Sequence, residues 1–382
     1  MKYLLNNIML VTAIVGLLTI ACQEQGVKSE PSLKQAFDGQ FLIGTAMDEA
    51  QILGEDSSSV KLIKKHFNSV VTENSMKCEE IHPQEDVFNF DIADKFVAFG
   101  EANNMFITGH TLIWHSQLAP WFFVDEDGAD VSRGVLVERM RKHIQTIVGR
   151  YKGHIRGWDV VNEAIEGDGS WRKTKFYSII GEEYIKLAFQ FAHEADPEAE
   201  LYYNDYSMTS PAKRDAVVKL VKDLKEEGLR IDAIGMQGHC SLNKPTVDDF
   251  EESIKIYSAA GVKVMITELD VTTIPNPFDM HGADVANRFE YSKEMDPYKE
   301  GLPEQVDSAL QKKYLDLFMV FLKHQDKISR VTLWGLNDAQ SWRNNWPIHG
   351  RTDYPLLFDR KNKAKPVVEA IIEAAGNMRL QN

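Results

Sequence analysis

Cysteine is scarce in this 382-residue chain, with three in all: Cys22, Cys78 and Cys240. Cys22 sits at the end of an N-terminal apolar stretch, so two remain in the body of the protein, too few for a disulfide framework. Any run of basic residues is also missing. Lys and Arg number 43 against 57 Asp and Glu, a formal net charge of −14, which leaves no electrostatic footprint for nucleic acid or an anionic membrane surface. No segment offers GxxxxGK and the first strand lacks a following GxGxxG, so the usual phosphate-binding turns are absent. There is no HExxH or HxH, and His110 and His115 are wrongly spaced to share a strand face. A catalytic metal is therefore not expected, and no cofactor is called for. A serine nucleophile lacks its GxSxG.

Long apolar runs are missing too, with one exception, IMLVTAIVGLLTIA at residues 8–21. That is the length of a signal-peptide core and short for a spanning helix. It ends in Ala21–Cys22, which resembles a bacterial lipobox, although Thr19 stands where Leu is usual. The reading is a signal peptide over residues 1–21, lipidation at Cys22 and a polar tether over 22–35 (QEQGVKSEPSLKQ follows the Cys). The chain is expected to be exported as an outer-membrane lipoprotein, at the cell surface or in the periplasm, touching the membrane only through its lipid. Simple secretion is the alternative.

What is present is alternation. β-rich segments at 41–47, 69–74, 105–114, 155–164, 200–206, 231–239, 262–270 and 329–338 are separated by stretches such as VLVERMRKHIQTIVGRY and AKRDAVVKLVKDLKEEG with apolar residues three and four apart. FYSIIGEEYIKLAFQFAHEA reads as one such helix. Nearly continuous apolar strands joined by crossover helices imply a parallel sheet, and eight units close most economically into a (β/α)8 TIM barrel, here over residues 36–378. A doubly wound open sheet is the runner-up. A long segment at 274–305 follows the seventh strand, on the face where such barrels keep their chemistry.

Polar residues gather at the C-terminal ends of the strands: Glu73 and Asn74, His110, Asn162 and Glu163, Asn204 and Asp205, Gln237 and His239, Glu268 and Asp270, Asn337 and Asp338. One such residue is ordinarily a satisfied cap, but seven strands repeat the pattern. Glu268 and Asp270 are two apart and so share a strand side, and His239 on a neighbouring strand could bridge them, keeping Glu268 ionised. Glu163 and Glu268 end the fourth and seventh strands, the pair of carboxylates that glycoside hydrolysis requires. Trp114, Trp121, Trp334, Trp342, Trp346 and Tyr206 lie in the same loops, where ring faces can stack on sugars.

TENSMKCE (72–79), GHTLIWHSQ (109–117), WDVVNEA (158–164), YNDYS (203–207), GMQGH (235–239), ITELD (266–270) and WGLNDAQSWR (334–343) resemble, in order, the motifs of family 10 glycoside hydrolases, the endo-β-1,4-xylanases. The resemblance implies a retaining mechanism on internal bonds of xylan, with Glu163 as acid/base and Glu268 as nucleophile. It implies that Asn162 bonds the 2-hydroxyl of the reacting sugar, that Lys77, His110 and Gln237 hold that sugar, and that Trp334 and Trp342 wall it. Glu73, Asn74, Trp114 and Gln117 would serve the next sugar on the non-reducing side, Tyr206 and His239 would also contact substrate, and Asp159 and Asp270 would support these groups from behind. Cys78 departs from the Trp or Pro many members carry. Xylan and xylo-oligosaccharides are then the partners of a monomer. A cellulase or mannanase of the same barrel type, or a non-catalytic xylan-binding lipoprotein, are the rival readings. Cys78 and Cys240 are expected to be free thiols on opposite sides of the barrel.

Overall fold

The computed structural model describes residues 31–277 and 282–381; the expected signal peptide and the expected lipidation at Cys22 lie outside them. Nine parallel strands form the sheet: β1 (Leu42–Met47), β2 (Ser69–Thr72), β3 (Phe106–Ile113), β4 (Gly157–Asn162), β5 (Glu200–Asp205), β6 (Ala233–Met236), β7 (His239–Ser241), β8 (Lys263–Thr272) and β9 (Ile328–Leu333). Each pairs with its neighbour and β1 pairs with β9, while β6 pairs directly with β8, so eight staves close into a barrel. The expected sixth strand is two pieces. Gly238 takes φ +83° and breaks it, and the short β7 resumes on β8 alone.

The helices wrap the barrel for the reason their periodicity suggested. In Pro211–Glu226 the buried Val217, Leu220, Val221 and Leu224 recur at three- and four-residue steps and face the strands. Burying each such side chain stabilises the fold by roughly 1.5–3 kcal/mol. Ser132 and Thr246 cap the helices Arg133–Arg150 and Val247–Ala259 by accepting from backbone N–H groups. Two expectations are corrected. The helix read over 176–195 is two, Lys175–Ile180 and Glu183–Ala195, because Gly181 sits at φ +90° between them. Residues 32–35, read as the end of a tether, belong to the fold instead: Ser32 caps Leu33–Ala36 in a capping box and Leu33 is fully buried.

Three strands carry an extra residue where the site is built. From His110 to Ile113 β3 takes three steps against two in β4, and from Asp159 to Val161 β4 takes two against one in β5. β8 gains one on both flanks: Ile266 to Leu269 is three steps against two from Val331 to Leu333, and Ile266 to Asp270 is four against three from Met236 to His239. Such bulges turn successive side chains to one side of a strand.

Candidate active site

The bulge in β8 explains a contact that strict alternation forbids. Thr267 and Glu268 are consecutive, yet both reach Asn204 of β5: Thr267 Oγ1 donates to Asn204 Oδ1 at 2.6 Å, and Asn204 Nδ2 donates to Glu268 Oε1 at 2.7 Å. Gly235 makes room, since a Cβ there would lie 2.3 Å from Asn204 Oδ1. Asn204 Nδ2 also donates to Asn162 Oδ1 at 2.9 Å. Asn162 and Glu163 follow the same logic at the end of β4, where Glu163 takes φ +59°. A left-handed backbone is unfavourable for a residue with a Cβ, and Arg172 Nε holds the Glu163 carbonyl oxygen at 3.0 Å.

Glu163 and Glu268 are both buried, at 4% and 5% exposure, and their neighbours differ. Glu163 accepts from Trp114 Nε1 at 2.8 Å and Gln237 Nε2 at 2.9 Å. Burial pushes its carboxyl up to about 7, the negative charge of Asp205 adds to the rise, and these hydrogen bonds only partly offset it. Burial also penalises an ionised Glu268, but the hydrogen bond and charge of His239, with a contribution from His110, hold its carboxyl below the ordinary value. His239 bridges as its spacing suggested, with Nε2 at 3.2 Å from Glu268 and Nδ1 at 3.1 Å from Asp270. Burial works against an imidazolium there, yet the two carboxylates raise His239 to about 9. Asp270 is held below the carboxylate range against its own burial by Arg343, which donates at 2.8 and 3.2 Å, and by His239.

Trp114, Asn162, Glu163, Gln237, His239 and Glu268 line one cleft of about 790 Å³ at the C-terminal mouth. Lys77 donates to Asn74 Oδ1 at 2.9 Å and Gln117 Oε1 at 2.7 Å, with Glu73 beside it in the wall. His110 Nδ1 meets Asp159 at 2.9 Å and its ring stands edge-on to Trp334, 5.3 Å away. Trp342 donates Nε1 to Asp270 at 2.7 Å and stacks on Trp346 at 4.4 Å.

Four residues singled out in the sequence go elsewhere, Trp121 among them, whose Nε1 donates to His82 O at 3.1 Å outside this cleft. Tyr206 does not line this cleft; its hydroxyl accepts from Arg172 and its ring packs on Ala283 and Trp346, because the segment after β8 folds over it. Asn337 and Asp338 lie beyond the end of β9 and bond away from the two glutamates, Asn337 donating to Gln340 and Asn362, Asp338 accepting from Leu356 N and Lys365. Conversely, Asn204, Asp205, Arg172 and Arg343 matter more than their sequence suggested. Asp205 is paired at 2.6 Å with a fully buried Lys213. Asn204 carried a signal in the ring of strand-end residues, whereas the pairing of Arg343 with Asp270 spans 73 residues and left none. Cys78 and Cys240 are free and buried.

Comparison with known proteins gives the family. Residues 32–374 match the description of glycosyl hydrolase family 10. The chain is 51% identical over 357 residues to endo-1,4-beta-xylanase A of Xylanibacter ruminicola, covering 94% of this chain and 96% of that one. It is 40% identical to an endo-1,4-beta-xylanase of Geobacillus stearothermophilus, covering 90% and 98%. Among solved structures, a GH10 endoxylanase retrieved from sugarcane soil metagenome superposes with a TM-score of 0.87 at 46% identity, over 90% of this chain and 99% of that one. The chain belongs to glycosyl hydrolase family 10.

Proposed function

We propose that the protein is an endo-1,4-β-xylanase that cleaves internal xylosidic bonds with retention, Glu163 serving as acid/base and Glu268 as nucleophile. The observation that carries this reading is the opposed titration of the two buried glutamates. A carboxyl raised to about 7 keeps its proton at neutral pH and can give it to the departing glycosidic oxygen, while one held below its ordinary value is ionised and can attack the anomeric carbon. The bond from Glu268 to the anomeric carbon forms as the bond to the leaving oxygen breaks and the Glu163 proton moves to that oxygen. Glu163, now a carboxylate, then takes a proton from water as the water oxygen displaces Glu268.

Asn162, fixed by Asn204, is positioned for the 2-hydroxyl of the reacting sugar. Lys77, His110 and Gln237 serve the same sugar, and Trp334 and Trp342 flank it. Glu73, Asn74, Trp114 and Gln117 serve the next sugar. Hydrolysis of xylan, mannan and cellulose by the protein, with the first-formed anomer followed by NMR, tests this: xylan should be cut preferentially and the β anomer should appear first. An α anomer appearing first, or a preference for mannan or cellulose, would sink the reading. We further propose that the protein acts as a monomer held on the outer membrane by lipid on Cys22; radiolabelled palmitate should enter the wild type and not Cys22→Ala.

A further inference from the structure

The segment after β8 contributes a wall of the cleft that the mechanism above does not use. Residues 282–289 are pinned to the barrel. Asp284 accepts from Arg172 Nη1 at 3.0 Å and from Ala286 N at 2.8 Å, Trp346 Nε1 donates to Asp284 O at 3.2 Å, and Phe289 N donates to Pro347 O at 3.0 Å. So held, Ala283, Val285, Ala286 and Arg288 line the same cleft as Glu163 and Glu268.

Arg288 is exposed, and its Nη1 donates to the backbone oxygens of Val285 and Asn287. No carboxylate among the described residues pairs with it. Among the described residues the edge formed by Nε and Nη2 is uncommitted, and that edge presents two parallel N–H donors matched to a carboxylate. Its setting is otherwise hostile to anions. The carboxylate of Glu268 and the exposed Glu79 line the cleft with Glu73, and the chain carries a net charge of −14. Lys77 is the other lysine or arginine in the lining, and it is buried and committed to Asn74 and Gln117. A neutral chain of xylose units has no use for a guanidinium with a free fork. A backbone bearing acidic sugars does, and would need it to enter so negative a cleft.

We infer that Arg288 forms a subsite for the carboxylate of uronic-acid side groups on xylan. This rests on the xylanase reading and deepens it. The fork would take the carboxylate bidentately while the backbone oxygens of Val285 and Asn287 keep the guanidinium aimed. An alternative is that Arg288 only staples the turn at 285–288.

The test compares kcat/KM on glucuronoxylan, on the same polymer with its carboxyls reduced to alcohols, and on linear xylo-oligosaccharides. The wild type should favour the charged polymer over its reduced form, and added salt should weaken that preference. In Arg288→Gln and Arg288→Ala the ratio of charged to reduced polymer should fall about fivefold to tenfold, and Arg288→Lys should keep part of it. A ratio unchanged in Arg288→Ala overturns the inference, as does an equal loss on all three substrates, the mark of a turn staple. A wild-type protein inert on every xylan would instead overturn the xylanase reading itself.

Discussion

The two glutamates of the cleft are the same residue type, almost equally buried, and they titrate in opposite directions. On the Glu163 side the partners are neutral donors, Trp114 and Gln237, and the charge that acts most strongly on its carboxyl is the carboxylate of Asp205. On the Glu268 side a cation stands between two carboxylates, and Arg343 anchors the far one. Burial alone makes every carboxyl a better acid reservoir. The sign of the neighbouring charge decides whether that tendency is kept or reversed.

The comparison breaks most completely if the roles are exchanged. Glu268→Ala lacks the proposed nucleophile and should show no turnover above background on xylan or on dinitrophenyl xylobioside. Glu163→Ala should lose roughly 10²–10⁴-fold on xylan yet react readily with the activated substrate, whose leaving group needs little protonation. Azide should restart its stalled second step and yield the β-glycosyl azide; the β-azide from Glu268→Ala would reverse the assignment.

A smaller change sharpens the same contrast. His239→Asn removes the cation from Glu268 without touching Glu163, so the acidic limb of kcat/KM should move up by about 1–3 pH units while the alkaline limb stays near the Glu163 value of about 7. A uniform loss of rate with both limbs in place would mean His239 matters for shape and not for charge.

The smallest expected effect is on stability, and its sign differs between the pair. The Glu163 carboxyl is raised in the folded state, so stability falls as pH rises from its ordinary 4.5 to about 7. Glu163→Gln should therefore stabilise the protein above pH 7, by on the order of 1–2 kcal/mol, with the gain fading as pH drops toward 4.5. Glu268 is lowered, so it contributes stability above its ordinary value of 4.5 that is lost as pH falls through its folded value. Glu268→Gln should destabilise at neutral pH and approach the wild type in acid. Urea midpoints at pH 7.5 and pH 4 measure both, and two substitutions of the same sign would refute the electrostatic account.

The barrel was legible because its strands are buried on both faces and its helices on one, so each announces its period. Both glutamates and the His239 bridge could be read from strand ends and two-residue spacing. Tyr206 was misplaced because what covers it, Ala283 and the Arg172–Asp284 pair, comes from a segment without periodicity and from partners 112 residues apart. Asn337 and Asp338 were overread because a capping carboxamide and a catalytic one look alike until the strand end is known. The charge network behind Glu268 was invisible for a related reason: Arg343 is an ordinary residue in a motif until the fold brings Asp270 to it.

The extra residue in β8 has a consequence for how this protein can change. Glu268 faces the cleft only because the ladder miscounts by one at Thr267–Glu268 against both flanking strands. Deleting Thr267 would remove the miscount and leave Glu268 as the next inward residue after Ile266, still facing the cleft but without the Thr267 hydroxyl that fixes Asn204. That one-residue deletion should thus cost far less activity than removing the carboxylate, and the segment beyond β8 can gain or lose length without disturbing the parity that keeps Glu268 inward.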